Sequence, residues 1–287
     1  MPELPEVETI KRGLEKNIVG KTISDFDCNW RKIINKPLAA YKKILKDLKI
    51  ESVNRRAKMI ILNLSKSWNL LIHLKMTGQL VYGSKTKCLV GGHPIVEGYD
   101  CLPNKFTHAT ITFTDKSHLY FNDIRKFGWM HLLTDSELEK EIAEMKLGIE
   151  PFDKNLTLDY FKSLFKKRPN LKIKQFLMDQ SLIAGLGNIY SDEVDFYAHV
   201  RPMRTVKSLS EKEINLIYKG IKKILIASIK AQGTTFSNYR NAEGEAGAYS
   251  KQLRVYGKWG EDCLCGGKIL RAKIGGRSAS YCPKCQK

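Results

Sequence analysis

The first twenty residues alternate apolar and polar positions with the period of a helix. Val7, Ile10, Leu14 and Ile18 recur at steps of three and four residues, and Gly20 can end the helix. From about residue 22 to 133 the pattern changes to short runs rich in β-branched and aromatic residues, such as MIILNL, NLLIHL, HATITF and SHLYFN. Turn residues separate these runs, so this region predicts an antiparallel sandwich or barrel.

Helical periods return in the second half of the chain. The segment 82–105 is rich in Gly and Pro and is predicted to be a long loop, and LGIEPFD at 147–153 reads as a linker. After it, NLTLDYFKSLFKK, LKIKQFLMDQ, NIYSDEVDFYAHV and LSEKEINLIYKGIKKILIASIKAQG predict helices. Ser210 (or Ser208) can cap the last of them, with Glu213 completing a capping box.

The pattern therefore predicts an α+β protein: an N-terminal helix with an antiparallel β-sandwich, then a helical domain with a C-terminal hairpin that contains cysteines. The predicted boundaries are 1–135 for the first domain, 136–155 for a linker, 156–240 for the helical domain and 250–287 for the hairpin module.

Charge points to a polyanionic partner. The chain has 49 Lys+Arg against 30 Asp+Glu, a formal net charge of +19. Nucleic acid is the leading interpretation; an anionic membrane surface or a general enrichment in lysine are the alternatives. No run approaches ~18 apolar residues, and the N-terminus lacks the features of a signal peptide. We therefore expect an intracellular protein with no membrane partner.

Four of the seven cysteines lie near the end of the sequence. Cys263 and Cys265 form a C-x-C pair, and Cys282 and Cys285 form a C-x-x-C pair. Two thiolate pairs separated by a hairpin suit one tetrahedral structural Zn²⁺. Asp262 could replace Cys263 as the fourth ligand, and free or redox-active cysteines are the other interpretation.

Two positions invite a chemical interpretation. Initiator methionine is normally removed before a small residue, which would leave Pro2 with a free secondary amine. Its pKa is near that of an α-amino group, about 8 against about 10.4 for lysine, so a useful share is neutral and can form an iminium ion. Glu3 could move protons. The alternative is that Pro and Glu simply begin a helix well. If Met1 is retained, the amine is blocked.

Motifs along essentially the whole chain resemble those of a known family. They are MPELPEVET, RRAKMIILNL, HLKMTGQL, NDIRKFGWM, MDQSLIAGLGNIYSDEV, QGTTFSNY, LRVYGKWG and the cysteine-rich end. Together they resemble the bacterial formamidopyrimidine-DNA glycosylases, the 8-oxoguanine repair enzymes of the helix-two-turn-helix superfamily. PEL rather than PEG after the methionine favours this family over its relative endonuclease VIII.

The resemblance implies a bifunctional enzyme that removes an oxidised purine and then cuts the strand on both sides of the sugar. It implies Pro2 as the nucleophile at C1′, Glu3 as the acid/base, and Glu6 as part of the pocket. It also implies that Lys58 contacts phosphate and assists β-elimination, and that Arg277, which follows two glycines at a hairpin tip, clamps phosphate and assists δ-elimination. Without the resemblance, Arg277 reads as a solvated side chain.

Excision requires that the damaged base leave the stack, so something must fill the gap. The resemblance assigns this role to Met76, Arg125 and Phe127. An apolar wedge and a ring can replace lost stacking, and an arginine can pair with the orphaned cytosine. Without the resemblance, Met76 and Phe127 could equally be core residues.

The remaining DNA contacts come from both halves of the chain. Asn188 follows two glycines where a helix begins and could hold a phosphate, and Lys167 matches a DNA-contacting lysine across a short gap. We include His73 among the DNA-binding residues, and we expect its role to be structural rather than catalytic. His108 remains from a K-H-x-H motif in which Phe106 replaces a DNA-contacting histidine.

The sequence departs from the family in three other places. The first cysteine pair is one residue short, which places Cys263 in doubt; SAS follows Arg277; and the loop 84–104 is longer than usual. Cys88, His93 and Cys101 in that loop do not predict a second metal site. The loop 234–249, which should cover the flipped base, does not reveal the preferred lesion.

We therefore expect a monomeric DNA glycosylase and abasic-site lyase, in the bacterial cytoplasm and associated with the nucleoid. Its expected partner is double-stranded DNA with oxidised purines or abasic sites, bound in a basic cleft between two domains. The alternative is a non-catalytic zinc-ribbon protein that binds nucleic acid or senses damage. A binder has no use for a free Pro2 amine, so this residue discriminates the two.

Overall fold

The computed structural model describes residues 1–83, 102–234 and 248–287, and the backbone of 88–92. Its helices are α1 Leu4–Ile18, α2 Leu38–Leu45, α3 Asp135–Glu144, α4 Leu158–Lys167, α5 Ile173–Met178, α6 Asn188–Tyr197 and α7 Glu211–Lys230. Its strands are β1 Ile23–Cys28, β2 Ile50–Arg56, β3 Met59–Leu64, β4 Trp68–His73, β5 Gly78–Gly83, β6 Cys88–Gly92, β7 Thr107–Phe113, β8 His118–Asp123, β9 Trp129–Thr134, β10 Leu270–Ile274 and β11 Arg277–Tyr281.

The chain divides into two compact units. The first unit contains Met1–Met145 and Ile229–Ser250, and the second contains Lys146–Ser228 and Lys251–Lys287. The mixed α+β class that the sequence predicts is confirmed, with the β-rich part first and the helical part and terminal hairpin after it.

The first unit is built from two antiparallel sheets. One has the strand order β1-β7-β8-β5-β6 and the other β2-β3-β4-β9. Buried side chains of both sheets, such as Phe26, Phe121, Leu62 and Ile72, share one hydrophobic core. Strands that alternate inward and outward positions form such a core when two sheets stack face to face. The sandwich interpretation is therefore correct.

Helix α1 covers this core with one face. Val7, Ile10, Leu14 and Ile18 are all buried in it, as their spacing predicts. The helix ends before Gly20, which has a φ of 86°, a conformation that glycine adopts at little cost. This docking fixes the position of the residues at the start of α1.

Two helices and one strand of the first unit were absent from the sequence predictions. Helix α2 follows Pro37 and buries Tyr41 and Leu45. Helix α3 overlaps the first part of the predicted linker 136–155; a capping box between Thr134 and Glu137 begins it, and it buries no residue. Strand β6 pairs with β5 inside the segment predicted to be a loop. His93, Cys101 and most of the loop 234–249 lie outside the described residues.

The second unit packs its helices around aromatic side chains. The ring of Phe161 lies 4.9 Å from that of Phe165, and Phe165 lies 4.4 Å from Phe176. The predicted capping box of α7 is present: Ser210 N donates to Glu213 Oε2, and Glu213 N donates to Ser210 Oγ. Strands β10 and β11 form the hairpin near the end of the chain.

Among the described residues, no helix combines the length and apolar character that crossing a membrane requires.

Candidate functional site

The start of α1 is buried inside the first unit. Pro2 and Glu3 are both buried, and Glu3 N donates to Glu6 Oε2 at 2.9 Å as part of a capping box. A free carboxylate near a helix N-terminus is stabilised by the helix dipole and by the backbone N–H groups there. Glu3 and Glu6 are therefore not solvated surface acids, because both are buried and both take part in hydrogen bonds at the start of the helix.

The N-terminal nitrogen lies among charges of both signs. Burial lowers the pKa of the Met1 amino group. Glu3 and Glu6 raise it, whereas Lys58 and Arg125 lower it further. This amine belongs to Met1, and in these surroundings it is more easily deprotonated than an ordinary α-amine. The same charges identify Glu3, Glu6, Lys58 and Arg125 as its neighbours.

Glu6 connects the start of α1 with a distant part of the chain. Its Oε2 accepts from Glu3 N, and its Oε1 accepts from Thr234 N at 2.9 Å. Glu6 and Thr234 are both almost fully buried. One carboxylate therefore fixes the backbone beside Pro2 and the backbone at residue 234, which is a positioning role that the sequence did not reveal.

Lys58 lies in the tight turn between β2 and β3 and is 7% exposed. Ala57 before it has a left-handed φ of 52°. Arg55 Nη1 donates to the Ala57 carbonyl at 2.8 Å, and Arg55 Nε donates to Glu8 Oε2 at 3.1 Å. Arg55 therefore ties this turn to α1 and keeps Lys58 near the N-terminus. Sequence reasoning missed Arg55 and Glu8, because their pairing spans two elements.

Met76, Arg125 and Phe127 form one exposed cluster, here called the wedge. Arg125 Nη1 lies 3.0 Å from Met76 Sδ, and the guanidinium carbon lies 4.7 Å from the centre of the Phe127 ring. Met76 is 39% exposed and Phe127 is 51% exposed. Large apolar side chains held together at a surface indicate a contact site rather than a core. The core interpretation of Met76 and Phe127 is therefore excluded.

Asp123, at the end of β8, holds the wedge loop. It is fully buried, and its Oδ2 accepts from Phe127 N at 2.8 Å and Gly128 N at 2.7 Å. Its Oδ1 accepts from Arg125 N at 3.1 Å and from the Thr77 hydroxyl. One carboxylate thus fixes both loops that carry the wedge. The available sequence signal is an acid as the last residue of a strand that is otherwise mostly apolar.

His108 requires a correction. It is 4% exposed, and its Nε2 donates to the Asp123 carbonyl at 2.8 Å while Nδ1 lies 3.3 Å from Asn29 Oδ1. The ring lies inside the unit, so it does not present itself to DNA. Its hydrogen bond fixes the backbone of Asp123, and Asp123 in turn fixes the loop that carries part of the wedge.

His73 lies half-buried at the end of β4. Its Nδ1 accepts from Lys75 N at 3.0 Å, and its ring lies 5.7 Å from that of Trp129. Burial, the largest cause, and the positive charges of Lys75 and Lys58 together lower the pKa of His73 to about 3. A neutral His73 that accepts this backbone hydrogen bond helps to fix the turn after β4, and its place in the DNA-contacting set stays a prediction.

This pKa predicts a pH-dependent contribution to stability. The folded-state pKa of His73 lies below the ordinary value near 6.5, so the unfolded state binds the proton more readily. Stability is therefore lost as pH falls below about 6.5. Between pH 7.5 and pH 5 we expect wild type to lose about 2 kcal/mol more unfolding free energy than His73→Asn. Urea unfolding of both proteins at the two pH values measures the difference. An NMR titration of His73 with a midpoint near 6.5 would contradict the expectation.

In the second unit, Asn188 is the first residue of α6 and is half-buried. Its Nδ2 lies 3.5 Å from Ser278 Oγ on β11, and the N-cap of the helix is Gly187. In general, the first backbone N–H groups of a helix have no partner within the helix and can bind an anion. Lys167 is exposed at the last turn of α4. Both positions allow contacts to an anion.

The four terminal cysteines converge. Their sulfurs lie within 4.8 Å of one another; Cys263 Sγ is 3.8 Å from Cys285 Sγ, and Cys265 Sγ is 3.5 Å from Cys282 Sγ. Zn–S bonds of about 2.3 Å in a tetrahedron place the sulfurs about 3.8 Å apart, so the set fits zinc.

Cys263 joins this set despite the short C-x-C spacing. A turn closed by Cys263 N to the Gly267 carbonyl, at 2.7 Å, brings its sulfur to the others. Asp262 is 75% exposed, and its Oδ1 pairs with Lys268 Nζ at 2.6 Å. The geometry therefore favours the four cysteines over the alternative with Asp262.

Arg277 is exposed at the tip of the β10–β11 hairpin. Gly275 and Gly276 form the turn with φ values of 55° and 77°. Two consecutive residues with positive φ form the turn that matches the twist of a tight hairpin, and glycine adopts it at little cost. The two glycines before Arg277 are thus explained by backbone geometry.

Comparisons with known proteins cover the whole chain. Residues 1–130 match the formamidopyrimidine-DNA glycosylase N-terminal domain, residues 147–240 match the formamidopyrimidine-DNA glycosylase H2TH domain, and residues 264–287 match a zinc finger found in FPG and IleRS. The zinc-finger match contains three of the four cysteines, and Cys263 directly precedes it.

Among curated relatives, a formamidopyrimidine-DNA glycosylase of Bacillus cereus is 39% identical, with 100% of this chain and 99% of the relative covered. Among solved structures, a complex of Lactococcus lactis Fpg with DNA that contains an abasic site is 33% identical, with a TM-score of 0.87 and 99% of each chain covered. A second complex of that protein, with DNA that contains N7-benzyl-Fapy-dG, is 34% identical, with a TM-score of 0.85 and 100% of each chain covered.

Proposed function

The chain belongs to the formamidopyrimidine-DNA glycosylase family, and we propose that it excises 8-oxoguanine and formamidopyrimidines from duplex DNA and cleaves the strand at the abasic site. The observation that carries the proposal is the start of α1. There Pro2 and Glu3 lie buried, and the charge of Lys58 acts on the amine of Met1, the residue whose removal would free the Pro2 nitrogen. Such a site supplies an amine, an acid/base and a cation to one sugar.

Base loss begins once Met1 is removed. The lone pair of the Pro2 nitrogen attacks C1′, the C1′–N9 bond breaks, and its electron pair leaves with the base, which takes up a proton. The nitrogen then loses its own proton. Opening of the C1′–O4′ bond, with protonation of O4′, gives an iminium ion between Pro2 and the sugar. Glu3, held beside the nitrogen, carries protons to and from these atoms.

Strand cleavage follows from the iminium ion, which makes the C2′ protons acidic. Loss of one C2′ proton expels the 3′ phosphate as the C3′–O bond breaks, and a second elimination breaks the C5′–O bond. Lys58 contacts phosphate and assists the first elimination. Arg277 clamps phosphate and assists the second. Hydrolysis of the iminium ion returns the free amine.

Zinc bound to Cys263, Cys265, Cys282 and Cys285 supplies a structural cross-link in the module that presents Arg277. The loop between these cysteine pairs is the β10–β11 hairpin itself. A cross-link at its base limits the positions that Arg277 can take.

The wedge serves base flipping. Met76 and Phe127 replace the stacking that the extruded nucleotide leaves behind, and Arg125 pairs with the orphaned base. Asn188 and Lys167 hold phosphates. Because a net charge of +19 implies many phosphate contacts, affinity falls steeply as salt rises. On this proposal the enzyme acts as a monomer on nucleoid DNA in the bacterial cytoplasm.

Asp123→Asn should impair the wedge while leaving the chemistry intact. Asparagine keeps one acceptor oxygen where Asp123 uses two, so two of the four hydrogen bonds to the loops are lost. We expect the preference for a duplex with an abasic-site analogue over undamaged duplex to fall about tenfold, the effect of one to two lost charged hydrogen bonds. Fluorescence anisotropy with both duplexes measures the ratio.

Asp115→Asn is the matched control for this variant. Asp115 also accepts a backbone hydrogen bond, from Ser117 N at 3.0 Å, and pairs with Lys21 in a hairpin away from the wedge loops. Its binding ratio should equal that of wild type. An equal loss in both variants would attribute the effect to general destabilisation.

The function itself is tested by borohydride trapping with wild type. Three labelled duplexes are compared: one with 8-oxoguanine opposite cytosine, one with an abasic site, and one undamaged. We expect a covalent protein–DNA band with the first two only. A band with the abasic site alone would show that the protein is a lyase whose glycosylase acts on a lesion other than 8-oxoguanine. No band with any duplex, with Met1 absent by mass spectrometry, would favour the non-catalytic DNA-binding alternative.

A further inference from the structure

The hairpin that carries Arg277 is attached to the helices of its own unit through a buried ion pair. Lys174 on α5 and Asp192 on α6 are both almost fully buried, with Lys174 Nζ 2.6 Å from Asp192 Oδ1. The other oxygen, Asp192 Oδ2, accepts from Ser280 N on β11 at 2.9 Å. Ser280 lies three residues after Arg277 on the same strand.

The same ammonium group also fixes the start of α6. Lys174 Nζ donates to the Asn188 carbonyl at 3.2 Å and to Ser191 Oγ at 3.1 Å. An ammonium has three protons, and here each of them has an acceptor. Lys174 thus holds the backbone of Asn188 directly and holds the strand of Arg277 through Asp192.

Two further contacts show how closely the hairpin approaches these helices. A Cβ added at Gly275 would lie 2.5 Å from Gln175 Nε2, so the hairpin turn rests against α5. Asn188 Nδ2 lies 3.5 Å from Ser278 Oγ, next to Arg277. The hairpin tip and the α6 N-terminus therefore lie side by side within this unit.

Stability alone does not account for this pair. Removing two charges from water is costly, and a buried ion pair is often no more stabilising than apolar residues of the same size. What an ion pair adds is direction, because its hydrogen bonds act only at defined angles and distances. Here the hydrogen bonds of the pair fix the backbone of Asn188 and the strand that carries Arg277, the two residues to which we assign phosphate contacts.

We propose that the buried Lys174–Asp192 pair is a positioning device that sets the separation of Asn188 and Arg277, so that both side chains bind neighbouring phosphates of one strand. The inference rests on the proposed function, because it assigns a spacing to the groups that the strand-cleavage steps use. Neither Lys174 nor Asp192 touches the substrate.

The test is the double variant Lys174→Met/Asp192→Leu, which removes both charges and leaves neither unpaired. Melting and zinc content check that it folds. We expect the ratio of δ- to β-elimination products on an abasic duplex to fall about tenfold, the loss that one charge-assisted hydrogen bond produces. The salt slope of binding should fall by about one phosphate contact. Borohydride trapping, which reports on Pro2, should stay within about twofold of wild type.

Two reference variants bracket the result. Arg277→Ala gives the full loss of δ-elimination. Asp195→Asn is the matched control, because Asp195 is as deeply buried on α6 and feels the charges of Lys174 and Asp192, but no described residue donates a hydrogen bond to its carboxyl oxygens. It should keep the wild-type product ratio.

If the double variant lacks zinc, Lys174→Met/Asp192→Asn replaces it, because it also removes the ion pair and the hold of Lys174 on Asn188, leaves no buried charge unpaired, and keeps an acceptor for Ser280 N. A folded variant with an unchanged product ratio and salt slope overturns the inference. Absence of a trapped band with wild type contradicts the proposed function instead, so the two failures are distinguishable.

Discussion

Pro2→Gly is expected to lower the rate of 8-oxoguanine excision by on the order of 10³-fold and to remove the borohydride-trapped band with that duplex. Proline supplies a secondary amine, whose adduct with C1′ becomes an iminium ion with a fixed positive charge. Glycine supplies a primary amine whose imine must first be protonated, and it loosens the backbone that the capping box holds beside Glu3. Single-turnover cleavage and trapping measure the two effects.

Pro5→Ala is the matched control for that experiment. Pro5 is buried in the first turn of the same helix, but its nitrogen lies within the chain. Its variant should trap DNA within a few-fold of wild type. Mass spectrometry must show that Met1 is absent from each protein, because a retained methionine acylates the nitrogen at position 2. Undiminished trapping by Pro2→Gly would show that the Schiff base does not require a secondary amine, and would leave the glycine amine and Lys58 as the candidates.

The elements that the sequence predicted best are those with a local signal. Helix α1 has its apolar residues on one face, and Ser210 with Glu213 marks the start of α7. Helix α3 was missed because it buries no residue, so no apolar stripe marks it. Hydrophobic periodicity detects elements that cover a core and is silent about those that lie on the surface.

The sequence predicted the side chains assigned to contact with DNA, but not the buried side chains that position them. The resemblance named Met76, Arg125 and Phe127, and the structure brings these three side chains together. It did not name Asp123, whose partner Thr77 lies 46 residues away in sequence while its partner Phe127 lies only four residues away. Such supports depend on tertiary contacts that no local pattern records. His108 illustrates the converse, because its type suggested a surface contact and its burial makes it a support.

Removal of one zinc ligand should have the second largest effect. Cys282 is fully buried, and its sulfur lies 3.5 Å from that of Cys265. Structural zinc contributes on the order of 10 kcal/mol to folding of small modules, so Cys282→Ser should lose the metal and the order of the β10–β11 hairpin. Because Arg277 lies on that hairpin, we expect affinity for an abasic duplex to fall by about 100-fold or more. Metal analysis and anisotropy measure both changes.

The control for this loss is another buried cysteine. Cys28 is 2% exposed in the first unit, and its thiol donates to the Trp30 carbonyl at 3.5 Å. Cys28→Ser keeps a donor of similar size, so it should retain one zinc per chain and wild-type affinity. If Cys282→Ser keeps its zinc, Asp262 or a water has taken over the fourth position. If it loses zinc but binds DNA normally, the hairpin does not depend on the metal, and its attachment to α5 and α6 alone must hold Arg277.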